Sequence, residues 1–413
     1  MLKFISLGCK VNSYESNALK ELFLKNGFSD KDNIVVINTC SVTAIADQKS
    51  RQIIRREKRN NPDDVVVVMG CYSQKNADYI LEKCGADIVV GTSNRNKLVD
   101  YVKTFLKERK PIKDIDEDTR HFQYESFHSV AIPNTTRAYI KVEDGCNNFC
   151  SYCTIPYTRG VARSRDKQEI IDEIKELIKH GFLEFVLTGI HTAHYGFDLK
   201  DESFSSLVEE ILNIDGLYRL RISSIEESEI DSKFIELLKS KENIANHLHM
   251  PLQSGSPTVL KRMCRKYNVN DFINKVNMIR EVRPDIAITT DVIVGFPGET
   301  EEEFLETVNF INKVNFAELH VFPFSAREGT PAYEMKDQIS PEVKAKRVNT
   351  LLELSEQLKR NYYQQFKGKE LEVIIEEKDK ESGLMMGHSS NYLLLKDELP
   401  ESSVGKIVKI KVR

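Results

Sequence analysis

Cys146, Cys150 and Cys153 place three thiols within eight residues, in the segment GCNNFCSYCTIP that runs from Gly145 to Pro156. Thiolates are soft donors that favour iron-sulfur clusters or zinc. A structural zinc site is closed by a fourth protein ligand, and no further Cys or His follows along this loop. A four-iron cluster held by three cysteines instead keeps one iron open to another ligand; zinc is the alternative. A second trio is spread out. Cys9, Cys40 and Cys71 each stand just past an apolar run (Lys3 to Leu7, Ile34 to Asn38, Val65 to Met69), each 31 positions after the one before. If the runs are parallel strands, the loops at their carboxyl ends converge and the three thiols meet. The plainer alternative is three buried small hydrophobes. Cys84 and Cys264 stand alone on helical segments and read as structural.

The elements that must hold these residues follow from periodicity. Short Val- and Ile-rich runs alternate with helical patterns over Tyr14 to Asn26, Ala44 to Asn60 and Asn76 to Lys83, which predicts a small doubly wound α/β domain over residues 1–106. Residues 107–133 mix charges with Pro and lack periodicity, and read as a linker. Over residues 134–338 six strand-like runs alternate with helices. That predicts a partial (β/α)6 barrel whose active face lies at the carboxyl edge of its strands. The first of these runs, Arg137 to Val142, leads into the local cysteine loop, so that loop sits on the active face. A connecting helix over 339–366, opened by Ser340-Pro341, leads to a small antiparallel β barrel over 367–413.

Composition sets outer bounds. Fifty-nine basic and 63 acidic residues give a formal charge of -4 over 413 residues, so any contact with a polyanion must come from local basic surface. The start MLKFISLGCK has no signal-peptide layout, and no apolar run approaches the ~20 residues of a membrane span. A soluble, cytoplasmic protein with no membrane association is expected, and eight cysteines in a reducing compartment suit cluster ligands better than disulfides.

The triplet Cys146, Cys150, Cys153 resembles the signature of the radical S-adenosylmethionine (SAM) enzymes. The resemblance implies that the open iron chelates the amino and carboxylate groups of SAM, and that an electron from the cluster releases a 5′-deoxyadenosyl radical. With Cys9, Cys40 and Cys71 added, the chain is similar to the methylthiotransferase branch, whose N-terminal domain holds a second four-iron cluster that supplies or carries sulfur. The words LGCKVNSYES and NTCSVTAIADQKSRQIIRR resemble the subgroup acting on N6-threonylcarbamoyladenosine in tRNA. The branch acting on isopentenyladenosine reads closer to GCQMN and NTCSIRE, and the branch modifying a ribosomal protein aspartate closer to GCxKN and NTCGF. Implied are methylthiolation at C2 of the base through two SAM-dependent steps, two four-iron clusters, the tRNA anticodon stem-loop as partner, and an electron donor such as flavodoxin or ferredoxin. The last domain resembles the OB-like TRAM module that binds RNA. Competing readings are isopentenyladenosine tRNA or a ribosomal protein as substrate, and a zinc-stabilised RNA-binding protein without catalysis.

The same resemblance assigns SAM contacts at strand ends: Thr188 and Gly189 for the amino-acid part, Ser223, Ser224 and Glu226 for the ribose, and Gln253 near the sulfonium. Asp291 and Gly295 are set beside the adenine, Phe322 forms a wall for the nucleobase, and Tyr152 packs over the cofactor. His249 is expected to be a core histidine. Arg159, Arg163 and Arg165 are candidates for substrate phosphate or SAM carboxylate, or else partners of Glu143 and Asp144. Asn12, Asn38 and Thr39 are expected to place the cysteine loops. On the helix after Cys40, Arg51 and Arg55 belong to a basic run that is either a solvated face or a contact to tRNA phosphate or the threonyl carboxylate.

Overall fold

The computed structural model describes residues 1–413 apart from Ser129 and Ala131, two positions of the expected linker that lie outside the described residues. Five parallel strands open the chain: β1 (Leu2–Ser6), β2 (Ile34–Thr39), β3 (Val65–Gly70), β4 (Ile88–Val90) and β5 (Ile112–Asp114). Four helices cover both faces of this sheet: α1 (Lys10–Lys25), α2 (Ala44–Asn60), α3 (Cys71–Tyr79) and α4 (Leu98–Glu108). Alternate strand residues explain the two layers. Val36, Val67 and Ile88 pack with α1 and α4, whereas Val35, Val66 and Val89 pack with α2 and α3. Strand order runs straight from β1 to β5. The first three strands are therefore neighbours, and whatever follows them shares one edge.

The expected linker is partly structured. Helix α4 continues to Glu108, and β5 adds an edge strand through the pairs Ile112 with Ile88 and Asp114 with Val90. A three-residue strand carries too little periodicity to be read from the sequence.

Six further parallel strands form the partial barrel: β6 (Arg137–Lys141), β9 (Glu184–Thr188), β10 (Arg219–Ile222), β11 (His247–His249), β12 (Ala287–Val294) and β13 (Glu318–Pro323). A short hairpin, β7 (Glu143–Asp144) with β8 (Arg163–Ser164), and the helix α5 (Ile155–Arg159) frame the cysteine loop after β6. Helices α6 (Lys167–Lys179), α7 (Phe204–Leu212), α8 (Ser232–Ser240), α9 (Pro257–Arg262), α10 (Val269–Val282) and α11 (Glu301–Val314) surround the strands, and Thr300 with Glu303 closes the expected capping box on α11. The strands form two triplets, β10-β9-β6 and β11-β12-β13, joined where Leu220 bridges Ile244. Among the described residues β6 and β13 do not pair, so the barrel is open on that side, and α1 packs against β6 there.

After the short α12 (Pro331–Glu334), the helix α13 (Pro341–Gln364) runs along β13, capped by the Ser340 hydroxyl. The final strands β14 (Glu370–Lys378), β15 (Met385–Ser389), β16 (Leu394–Asp397) and β17 (Ile407–Lys411) make an antiparallel half-barrel in the order β16-β15-β14-β17. It docks on the barrel through buried charge: Arg137 pairs with Glu376 at 2.9 Å, and Arg221 donates to the carbonyls of Ser389 and Ser390 at 3.2 Å.

Candidate active site

Cys9 precedes α1, Cys40 follows β2 and Cys71 opens α3, so all three thiols lie at one sheet edge. Side-chain amides and a hydroxyl tie their loops together. Asn12 donates to the carbonyls of Leu7 (2.6 Å) and Thr39 (3.1 Å), Asn38 donates to the Asn12 carbonyl (3.1 Å), and Thr39 donates to Met69 (2.7 Å). Gly8, at φ +97°, leaves no room for a side chain, because a Cβ there would stand 2.7 Å from the Cys40 sulfur. Cys40 and Cys71 are buried, while the Cys9 thiol is open to solvent yet enclosed enough that burial raises its pKa. Burial also pushes Cys40 up to about 12.

The barrel trio is built differently, from one loop. Gly145, at φ +87°, turns the chain where a Cβ would meet the Val161 carbonyl at 2.0 Å, and the Cys146 amide donates to Gly160 at 3.0 Å. The amides of Asn148 and Ile155 each point at a sulfur, Cys146 and Cys153 respectively, at 3.5 Å. Arg265 donates to the Cys150 sulfur at 3.3 Å. Burial raises the pKa of Cys150 and pushes Cys153 up to about 12. Thiols so placed keep their protons until a metal displaces them, while the donors aimed at sulfur suit thiolate ligands. Both trios thus fit a four-iron cluster by donor chemistry and by the hydrogen bonds offered to sulfur.

The three arginines of the loop region do not reach into open space. Arg159 is wholly buried and donates to the Cys71 sulfur at 3.2 Å, to Asn12 at 2.8 Å, and to Glu15 and Asp144 at 2.8 and 3.1 Å. Arg163 pairs with Asp144 at 3.2 Å, and Arg165 with Glu173 at 2.5 Å. Of the two expectations for them, the structure shows the pairing: Arg159 and Arg163 both take Asp144, none takes Glu143, and Arg159 alone also hydrogen-bonds Glu15, Asn12 and Cys71 of the first domain. Burial disfavours charge on Glu15, but Arg159, Arg95 and Lys141 outweigh it and hold the carboxyl well below its ordinary range. Asp144 is held low in the same way, chiefly by Lys141, Arg159 and Arg163.

Tyr152, Gln253, Asp291 and Phe322 meet in one cavity of about 220 Å³, with Val42 and Thr43 of the first domain forming the opposite wall. Gln253 adopts φ +63°, a strained conformation for a side-chain-bearing residue, fixed by its backbone bonds to Asp291 and Ile293 at 2.8 Å. Thr188 and Gly189 end β9 beside Glu143, and a Cβ on Gly189 would stand 2.8 Å from that carboxylate. Ser223 bonds Thr192 at 3.1 Å, Ser224 is half-buried on the same loop, and Glu226 takes Arg265 at 2.8 Å and Asn148 at 3.2 Å. Gly295 is not part of the cavity: its amide donates to Glu299 and its α-carbon packs on Lys344. Arg51 and Arg55 hydrogen-bond the hydroxyls of Tyr72 and Tyr79 on the outer face of α2. His249 is only partly buried and contacts Asp291 at 3.3 Å. Cys84 is buried as expected, but Cys264 is exposed in a turn.

Sequence reasoning missed Arg265, His191 and Glu15. Arg265 follows the isolated Cys264, and its spacing in the sequence does not tie it to Cys150. His191 lies 3.9 Å from the Cys146 sulfur and 2.7 Å from Glu229, and Glu15 is a helix carboxylate whose partners are scattered along the chain.

Residues 140–311 match the radical SAM superfamily, and residues 1–91 match an uncharacterised protein family, UPF0004. The chain is 47% identical over 99% of its length, and 93% of the relative's, to the threonylcarbamoyladenosine tRNA methylthiotransferase MtaB of Bacillus subtilis. It is 37% identical to the protein of the same name from Aquifex aeolicus, over 99% of each chain. Among solved structures, the radical SAM methyltransferase TsrM from Kitasatospora setae shares the fold with a TM-score of 0.60 at 18% identity, covering 80% of this chain and 73% of that one. Two cysteine trios at one domain junction and near-complete coverage by these relatives lead to one assignment: the chain belongs to the radical SAM tRNA methylthiotransferases.

Proposed function

We propose that this protein methylthiolates C2 of N6-threonylcarbamoyladenosine beside the anticodon of tRNA. The carrying observation is the pair of three-thiol sites joined by Arg159, which links the barrel's α5 to Cys71 of the first domain. When bound, the clusters and SAM supply the electron, the radical, the methyl group and the sulfur that an unactivated aromatic C–H requires. The protein's share is placement. Cys146, Cys150 and Cys153 hold one cluster and Cys9, Cys40 and Cys71 the other, with Arg265 and Arg159 offering charge-assisted hydrogen bonds to sulfur. Tyr152, Gln253, Asp291 and Phe322 line the cavity that would take SAM, and Thr188, Gly189, Ser223, Ser224 and Glu226 would meet its amino-acid part and ribose, Glu226 being tied to the cysteine loop through Asn148 and Arg265. The cavity bounded by Val42 and Thr43 of the first domain and by Phe322 and Ser325 of the barrel admits a base swung out of the anticodon loop.

RNA contacts come from local basic surface. The exposed Lys406, Lys409, Lys411 and Arg413 of the half-barrel and the solvated face of α2 suit phosphate. A low-potential donor such as flavodoxin or ferredoxin delivers the electrons, and the setting is cytoplasmic. Incubation of the anaerobically reconstituted protein with SAM, reductant and threonylcarbamoylated tRNA, followed by mass analysis of the nucleosides, tests the reading. Appearance of the methylthio nucleoside supports it. Exclusive conversion of isopentenyladenosine tRNA overturns the substrate assignment.

A further inference from the structure

The inner face of the barrel changes character along β12 and β13. Near the strand ends it walls the 220 Å³ cavity, where Ile293, Phe322, Pro323 and Phe324 stand with Val42 as an apolar lining. Toward the half-barrel lies a second cavity of about 520 Å³, walled by Thr289, Glu318, His320, Lys359 and Tyr392. Both cavities lie on one strand face. Asp291 stands opposite His320 and Ile293 opposite Phe322, and side chains two positions apart on a strand point the same way. Asp291 and Phe322 wall the first cavity and His320 the second, so His320 marks where the apolar space gives way to the polar one.

The groups at that boundary have hydrogen-bonding capacity to offer. His249 lies 3.3 Å from Asp291, and its other ring nitrogen meets the Thr289 hydroxyl at 3.0 Å. Lys359 neutralises Glu318 at 2.9 Å. His320 is exposed and its ring centre stands 5.5 Å from that of His249. Among the described residues His320 has no hydrogen-bond or ion-pair partner. An imidazole donates from one ring nitrogen and accepts at the other, or donates from both when protonated. Apolar atoms packed against such groups strip them of water and return no hydrogen bond, so this stretch of the cleft suits a polar ligand.

We infer that the polar stretch receives the N6 threonylcarbamoyl substituent of the substrate, and that His320 hydrogen-bonds its carboxylate. The shape of adenine directs the substituent there. C2, N6 and N9 carry their substituents in three widely separated directions. C2 faces the first-domain wall, because Val42 and Thr43 lie just after the sulfur ligand Cys40. N9 faces outward, toward the RNA backbone. N6 is left to point along the strand face from Phe322 toward His320. The flat ring then lies against the apolar lining and its acidic tail among the imidazoles. Arg51 and Arg55, the sequence candidates for the carboxylate, are bound to tyrosine hydroxyls on the outer face of α2. His320 thus sets substrate choice among modified adenosines: an acidic substituent is accepted and an apolar one of similar size is penalised.

This assignment rests on the proposed substrate, and the experiment keeps the two apart. Two tRNAs are prepared, one with the threonylcarbamoyl group and one with its counterpart built from the amino alcohol that threonine becomes without its carboxylate. Steady-state methylthiolation of each is measured for the anaerobically reconstituted wild type, His320→Leu and His320→Gln, with iron content recorded; should His320→Leu lose iron, His320→Gln decides. A hydrogen bond to a charged group corresponds to roughly 10- to 100-fold in kcat/KM. The wild type is expected to prefer the acid by that factor, His320→Leu to lose the preference through a raised KM for the acid alone, and His320→Gln, which keeps a donor, to retain part of it. A preference unchanged in both variants overturns the role of His320 and leaves the substrate assignment standing. An equal loss on both tRNAs, or equal use of them by the wild type, does the same. Failure of the wild type on both overturns the substrate assignment, and this inference with it.

Discussion

The two cysteine trios reach similar surroundings by opposite routes. The barrel trio comes from eight residues of one loop, whereas the first-domain trio spans 63 positions and exists only because three successive strands are neighbours that end at one edge. In both, a glycine with positive φ precedes the first cysteine, and an arginine donates to one sulfur at 3.2 or 3.3 Å. They differ in what holds them. Arg265 lies in the same domain as its Cys150, while Arg159 crosses the junction to reach Cys71. A local loop carries its own site; a dispersed one depends on the fold and on its neighbour.

The largest expected effect breaks the equivalence outright. Cys146→Ala abolishes reductive cleavage of SAM, whereas Cys9→Ala keeps cleavage and forms no methylthio product; quantifying 5′-deoxyadenosine alongside the modified nucleoside checks this. Next come the glycines. Gly8→Ala places a methyl group against Cys40 and costs the first-domain site its iron, while Gly145→Ala clashes with the Val161 carbonyl and costs the barrel its iron, as metal analysis of each variant reveals. A smaller effect falls on the junction. Arg159→Ala strips buried Glu15 and Asp144 of a partner and destabilises the protein by about 3–5 kcal/mol, whereas Arg55→Ala, on an exposed face, leaves the denaturation midpoint essentially unmoved in denaturant titrations.

The same contrast explains what was legible in the sequence. Cys146, Cys150 and Cys153 declare themselves by spacing, and Cys9, Cys40 and Cys71 by their place after repeated strand patterns. The resemblance set Tyr152, Gln253, Asp291 and Phe322 around one cofactor, and the structure gathers them around one cavity. Pairing of Arg159 and Arg163 with Asp144 was one of the two expectations, but the reach of Arg159 into the first domain was not legible, because Arg159 and Glu15 are 144 positions apart and pairing across a domain junction leaves no periodic trace. Gly295 misled for a related reason: its motif marks a turn, and which side the turn faces is fixed by α13, which packs Lys344 against it.

The central claim is that each trio holds its own cluster, and iron analysis of anaerobically reconstituted protein tests it most directly. The wild type should carry about eight iron atoms per chain, with Cys9→Ala and Cys146→Ala each retaining about four. Loss of nearly all iron from either single variant, or full retention in both, would contradict the account.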